Sequence, residues 1–595
     1  MGIGRLFPDD WYRRPSTGMV KMGARRLIVC CLAAVMAAAV VVAQENQQPL
    51  ATFFAPLEVP LVSVDVYVSD RSGRPVPGLT PEDFEVYEDG QKVAISHFYA
   101  APGVAETAEP VAELVEEPAE SEPSQDLYLV ILFDDTNLSR GRRQSAIEYL
   151  RKFLGSELPS GVQVMLVRYD GHLNIERDFT DDPAEAVRAL DSLQGSASLS
   201  PWREEDRLLR DMENAVAIAA TSGRSSDTVL ESAGSSILQQ IDSFSEQMAH
   251  RTRTSIANQE RLIRSLSGLE GRKAMLLVSD GVAARPGELL YRSWAATFGS
   301  VPAFRLDAQR AFLMANRTDI GKEFNDLARF ANGHRVSYYS LSALGLGQAR
   351  ATSAESRSMD EQGLAIDQSM SAEVAMSNLA GTTGGRTLPN SPALAEELDE
   401  VSVELSSYYS LAFEPAHSGD GKYHRLEVRI NKAGVRARYR EGYLDVSPAE
   451  RMEDRLLAAA VHGVQENTLG ISVVTGEPTA RDDGTYFLPV LIRVPIAQLF
   501  LVPSQEEHQG RISIILTVRD DRGDLAPIHT QEYPVVVRNA DLSTALGQSA
   551  GFTLRLVVRP GKQLIAVGVM DEIAFAESVT TLEVVVGDSD GTSGP

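Results

Sequence analysis

Cysteine is almost absent: two thiols in 595 residues, side by side at Cys30 and Cys31. Everything downstream of them can form no internal disulfide and no thiolate metal site. Positive charge is also short. Lys and Arg total 56 against 82 Asp and Glu, a formal charge of −26, which excludes general affinity for nucleic acid or anionic lipid. Catalytic signatures are missing too. The nine histidines show no His-Glu-x-x-His spacing and no pairing along the chain, and there is neither a Gly-x-Ser-x-Gly elbow nor a Gly-Lys-Ser/Thr phosphate loop. Zinc hydrolase, serine hydrolase and nucleotide-cleaving classes therefore lack support, and the chain is expected not to be an enzyme.

Long hydrophobic runs are limited to one, Leu27 to Ala43, preceded by Arg25-Arg26 and ending in small residues before Gln44-Glu45-Asn46. That order reads as a secretory signal cut after Ala43, and the chain is expected to be exported, to periplasm or cell exterior. The run is close to the ~17-residue lower limit for a span, so an uncleaved anchor is the alternative. Val29 ahead of Cys30 argues against lipidation. Residues 1–43 hold six basic and two acidic side chains, so cleavage takes the charge from −26 to −30. The length calls for about three to five domains.

Val62, Val64, Val66 and Val68 alternate with polar residues, and Asp89-Gly90 separates two strand-like runs, so 52–100 is expected to be a small β domain. Residues 101–125 contain seven glutamates and no Lys or Arg, the composition of a solvated linker. From 126 to 405 apolar strands alternate with helical patterns: Leu127 to Phe133, then Ala146, Ile147, Leu150, Phe153 and Leu154 with Gly155 as a stop, then Val162 to Val167, a helix opening at Asp181-Asp182-Pro183, and strands at Ala274 to Val278 and Val336 to Leu341. Alternation of that kind predicts a doubly wound, Rossmann-type α/β domain, with surface insertions over about 194–251 and 347–371. A β extension over 406–447 packed on this domain, a linker helix over 448–469 and a C-terminal β-sandwich over 470–588 complete the expectation. His97, His172 and His424 read as surface or satisfied histidines, and Asp482-Asp483-Gly484 and Asp588-Ser589-Asp590-Gly591 as plain acidic turns.

In open α/β sheets ligands bind beyond the carboxyl ends of the strands. Two such ends stand out, Asp134-Asp135-Thr136-Asn137-Leu138-Ser139 and Ser279-Asp280-Gly281. By these residues and by element order, 58–445 resembles the von Willebrand factor A (VWA) family, and more closely VWA-related exported proteins of soil bacteria. The resemblance implies a VWA-like fold and an adhesion site in which an Asp-x-Ser-x-Ser motif, a Thr before a helix and a further Asp hold a divalent ion. Hydroxyl and carboxylate oxygens suit Mg²⁺, or Mn²⁺ or Ca²⁺, with a position left for a partner's acidic side chain. The carry-over is Asp134, Asp135, Asn137, Ser139, Thr254 and Asp280, with Thr252 or Thr228 as alternatives for the threonine. The motif is broken in both registers: from Asp134, Leu138 replaces the second hydroxyl; from Asp135, Asn137 replaces the first. Asp134-Asp135 as a helix cap and Asp280-Gly281 as a turn are the structural alternatives. The function expected is an extracytoplasmic protein-binding module using this degenerate site, or else a metal-free envelope scaffold. The stretch after Asp280, with Arg285-Pro286-Gly287 and Tyr291 to Phe298, is the expected source of partner choice.

Overall fold

Period-two alternation is realised in β1 (Val62–Ser69), whose four valines face inward. It is followed by β2 (Phe84–Glu88), β3 (Gln91–Val93) and β4 (His97–Ala100). Asp89 and Gly90 both take positive φ, +47° and +84°, the conformation a two-residue hairpin between β2 and β3 demands. The computed structural model describes residues 61–105, 127–138, 140–155, 158, 161–193, 202–222, 226–281, 284–342, 374–389, 393–417 and 419–587. The expected signal segment, most of the acidic linker, the 347–371 insertion, Ser139 and the turn at Asp588 lie outside them. No helix among the described residues is long and apolar enough to cross a membrane.

The fold is mixed α/β, and its middle is a Rossmann-like sheet. Its strands are β5 (Leu127–Asp134), β6 (Val162–Tyr169), β7 (Leu173–Thr180), β8 (Arg272–Ser279), β9 (Val336–Ser342) and β10 (Thr387–Pro389). They lie in the order β10-β9-β8-β5-β6-β7, parallel except for β7. Leu127, Leu129, Ile131 and Phe133 point to one face and Val130 and Leu132 to the other, and both faces are covered. On the first lie α1 (Arg140–Gly155), α2 (Pro183–Ser192) and, later in the chain, a helix over Leu394–Ser406. Asp182 caps α2, accepting from Ala184 N at 2.8 Å, with Pro183 in the first turn.

The segment after α2 forms α3 (Trp202–Thr221) and the 42-residue α4 (Ser226–Ser267). The second half of α4 covers the other sheet face through Ile256, Ile263 and Leu266, together with α7 (Gly321–Gly333) and α8 over 374–382. Its first half joins α3, α5 (Glu288–Phe298) and α6 (Arg305–Asn316) around a separate apolar cluster centred on Trp294 and Phe298. The insertion expected at the surface over about 194–251 thus packs with α5 and α6 into a second core.

After α9 (Leu394–Ser406) come β11 (Tyr409–Phe413), β12 (Tyr423–Ile430), β13 (Arg436–Arg438) and β14 (Gly442–Leu444). These strands pair with the first four: one sheet runs β13-β1-β11-β4, the other β14-β12-β2-β3. Both contribute to one cluster containing Val64, Phe84, Tyr409, Phe413 and Val428. The segments 52–100 and 406–447, read separately from the sequence, are therefore strands of the same pair of sheets. The helix expected as a linker is α10 (Pro448–His462), opened by a Ser447/Glu450 capping box. It buries Met452, Leu456, Ala459 and Ala460 against Ile515, Ala566 and Met570 of the C-terminal strands. Those strands form two further antiparallel sheets around Leu488, Val490, Ile514 and Val567.

At the start of β8, Lys273 is buried and donates through Nζ to the Leu269 carbonyl at 2.7 Å, just beyond α4. Burial pushes its ammonium down to about 7. The unfolded chain keeps that proton to about pH 10.4. Between the two values the unfolded state binds more protons, so this residue makes stability rise with pH from about 7 to 10. Lys273→Met is expected to flatten that rise, checked by comparing urea midpoints at pH 7 and 9.5; an unchanged slope refutes the assignment.

Candidate functional site

Counted from β5 as the first strand, the central order is 3-2-1-4-5-6, which reverses between β5 and β8. The carboxyl ends of those two strands deliver Asp134 and Ser279, with Asp280 directly after, and all three are buried. The chain ends are laced together: Asp280 N donates to the Asn137 carbonyl at 3.0 Å, Asn137 N to the Asp134 carbonyl at 3.1 Å, and Asp135 N to the Tyr169 carbonyl at 2.9 Å. Gly281, at φ +92°, takes the chain away in a conformation that a side chain would strain.

Asp134 accepts from Thr136 Oγ1 at 2.5 Å, Asn137 Nδ2 at 2.8 Å and Ser279 Oγ at 3.3 Å. Burial still holds its carboxyl above the usual range, the three donors opposing it. Asp135 faces the Arg143 guanidinium at 3.1 Å, both 3% exposed at the side chain. Burial lifts Asp135 to about 6 against the pull of Arg143, and burial likewise lowers Arg143. Both shifts say that desolvation outweighs attraction in this pair. Asp280 Oδ2 lies 3.1 Å from Arg142, whose side chain is 27% exposed while that of Asp280 is fully covered.

Four of the residues expected at the site, Asp134, Asp135, Asn137 and Asp280, meet at this strand end. Ser139 lies outside the described residues. Thr254 sits within α4, not before a helix, and donates its hydroxyl proton to the His250 carbonyl at 3.0 Å. Thr252 does the same with Met248, at 3.0 Å. The hydroxyls at Asp134 are those of Thr136 and Ser279 instead. Leu138, at the broken motif position, is 1% exposed and belongs to the core. Tyr291, Trp294 and Phe298, expected to face a partner, are buried in the helical cluster.

Sequence reasoning missed Arg142 and Arg143. A clue was present: arginines crowd the first turn of α1, which has no acidic residue, although the positive end of a helix dipole disfavours cations there. Such a run beside two aspartates is explained by pairing. A second constellation was missed outright. His417 and His424 stack at 3.7 Å between ring centroids amid Glu88, Asp89, Asp420 and Asp445. Their spacing along the chain hides a contact that the turn between β11 and β12 creates. Asp482-Asp483-Gly484 is a turn, closed by Gly484 N to the Arg481 carbonyl at 3.2 Å.

No protein-family model matches the chain, and no curated protein matches it. Among solved structures, three N-terminal domains of the type V pili tip protein Mfa5 from Porphyromonas gingivalis align at 12% identity over 85% of this chain and 78% of that one, with a TM-score of 0.24. BatB from Bacteroides thetaiotaomicron aligns at 11% identity over 47% of this chain and all of its own, with a TM-score of 0.22. An aerotolerance-related membrane protein from Bacteroides fragilis gives 10%, 47%, 98% and 0.22.

Proposed function

We propose that this chain is an exported, non-enzymatic protein-binding scaffold whose VWA-like α/β domain meets a partner at the β5/β8 strand ends, with β-sandwich-like domains on either side. The carrying observation is the pair of arginines at that face. Arg143 neutralises Asp135 and Arg142 neutralises Asp280, both from the first turn of α1. Two guanidinia pair with carboxylates that the resemblance assigns to a divalent ion, while Thr254 donates within its own helix and Asp134 is held by three neutral donors. The two guanidinia compete with Mg²⁺, Mn²⁺ or Ca²⁺ for the same carboxylates, which favours the metal-free reading over the metal-dependent one. Arg142 is the partly exposed cation of the group and suits an acidic side chain on the partner.

Calorimetric titration of Mg²⁺, Mn²⁺ and Ca²⁺ into the chain is expected to show no saturable binding at this face. Saturable binding that disappears in Asp280→Asn would overturn the metal-free reading. Cross-linking to envelope proteins is expected to lose its specific products in Arg142→Glu; products unchanged in that variant would move the contact elsewhere.

A further inference from the structure

The turn between β11 and β12 gathers groups that the strand-end site does not use. Gly421, at φ +70°, donates its N–H to the Asp445 carbonyl at 2.9 Å, and Asp420 N donates to Asp445 Oδ2 at 3.0 Å. This folds Asp420 back beside Asp445 and His417. His417 Nδ1 lies 3.1 Å from Asp445 Oδ2, and one ligand atom each from His417, Asp420 and Asp445 fall within 4.8 Å of one another. Ligands sharing a tetrahedral ion at ~2.0–2.2 Å stand roughly 3.3 Å apart, so small adjustments close the set.

Charge and hydrogen bonding both call for a cation. Glu88, Asp89, Asp420 and Asp445 bring four carboxylates, and among the described residues Lys422 is the one ammonium paired with them, at 2.9 Å from Asp420. All four ring nitrogens of His417 and His424 face carboxylate oxygens, which only accept. With neutral rings, two of those contacts have no proton to share. Lys422 is 73% exposed at its side chain and yields its place to an ion readily.

The two rings have different parts. They lie nearly parallel, at 18°, so their lone pairs run side by side and do not converge on one ion. His417 is the one whose other nitrogen, Nε2, faces a buried carboxylate, Glu88 at 3.5 Å, which in turn accepts from the Tyr443 hydroxyl. A carboxylate behind a ligating imidazole fixes its tautomer and strengthens it as a donor. His424 braces Asp420 from outside, with Nε2 at 3.2 Å from Oδ1, and is itself held by Asp89 at 2.9 Å.

We propose that His417, Asp420 and Asp445 form a binding site for a divalent transition-metal ion of the Zn²⁺ class, with Glu88 positioning His417 and water completing the coordination. One imidazole with carboxylates is a donor set for Zn²⁺ and its neighbours rather than for Ca²⁺. The site is open to solvent, since His417 and Asp420 are 26% and 24% exposed at the side chain. Through His417 the site lies against Glu88, a residue more than 300 positions earlier in the chain.

Zn²⁺ titrated by calorimetry into the chelator-treated chain is expected to bind at one equivalent. His417→Ala should abolish that binding, Glu88→Gln weaken it by about 10–100-fold, and Asp280→Asn leave it unchanged, which keeps this site distinct from the strand-end face. Co²⁺ added to the unmutated chain should develop visible ligand-field absorption that Zn²⁺ erases, a readout needing no variant. Absence of one-equivalent Zn²⁺ binding, or binding equal in a folded His417→Ala chain, overturns the proposal.

Discussion

Arg143→Ala is expected to cost about 3–5 kcal/mol of stability, because it leaves the buried Asp135 carboxylate without its cation. The size of that loss says nothing by itself about what the pair contributes. Burial raises Asp135 and lowers Arg143, so the pair as a whole is held at a cost. Asp135→Asn combined with Arg143→Met should therefore recover most of the loss, and the double-mutant cycle in urea should show strong coupling. The pH dependence has a definite sign. Asp135 titrates near 6 when folded and near 3.9 when unfolded, so its contribution is favourable below about pH 4 and is lost as pH rises through 6. Arg143→Ala removes the group that pulls the folded value down, so its deficit should shrink as pH falls from 7 towards 5. A deficit that is flat across this range would mean that lost packing, not the stranded charge, is responsible.

Trp294→Ala is expected to cost a similar ~3–5 kcal/mol, from a different cause: the cavity left by the largest side chain of the helical cluster. The indole is fully covered, packs on Phe298 and Phe304 at 5.8 and 5.1 Å between centroids, and donates to the Gly234 carbonyl at 2.8 Å. Gly234 is needed there, since an added Cβ would fall 2.5 Å from the Phe304 ring. The cluster shares none of its buried residues with the central sheet, so the damage should stay local. Hydrogen exchange is the measurement of choice: protection should collapse in α3, α5, α6 and the first half of α4, and persist in β5 and β8. Uniform loss of protection across both regions would show that the helical part and the sheet unfold as one.

The central sheet was legible in the sequence because strands covered on both faces are written as unbroken apolar runs, and Leu127 to Phe133 and Ala274 to Val278 are of that kind. The carboxyl-end rule then led directly to Asp134 and Asp280. What the sequence could not show were distant pairings. Nothing in Val62 to Val68 says that its partners are Tyr409–Phe413 and Arg436–Arg438, since half-buried strands of one face look alike wherever they pair. The histidine cluster failed for the same reason: Glu88 and His417 meet only once β2 and β12 are neighbours. Thr254 went astray because a threonine before a helical pattern looks the same whether the helix begins there or has already run for several turns.

The pairing of the first strands with the last sets a schedule for synthesis. Among the described residues, the strands that pair with β1 are β11 and β13 and the strand that pairs with β4 is β11, so by itself the opening segment can form the β2–β3 hairpin and the tight turn that bridges Ser69 to Pro75, but neither sheet. Some 300 residues separate Ala105 from Tyr409. At ~5–20 residues per second, the apolar faces of β1 and β4 wait roughly 15–60 s for their partners. During that interval the central sheet can fold as a unit while two unpaired strands hang from its start, open to pairing with another chain. The nascent protein is therefore at its most aggregation-prone when it is already two-thirds made, and a holding chaperone acting on residues 61–105 at that moment should raise its yield more than one acting at any later stage.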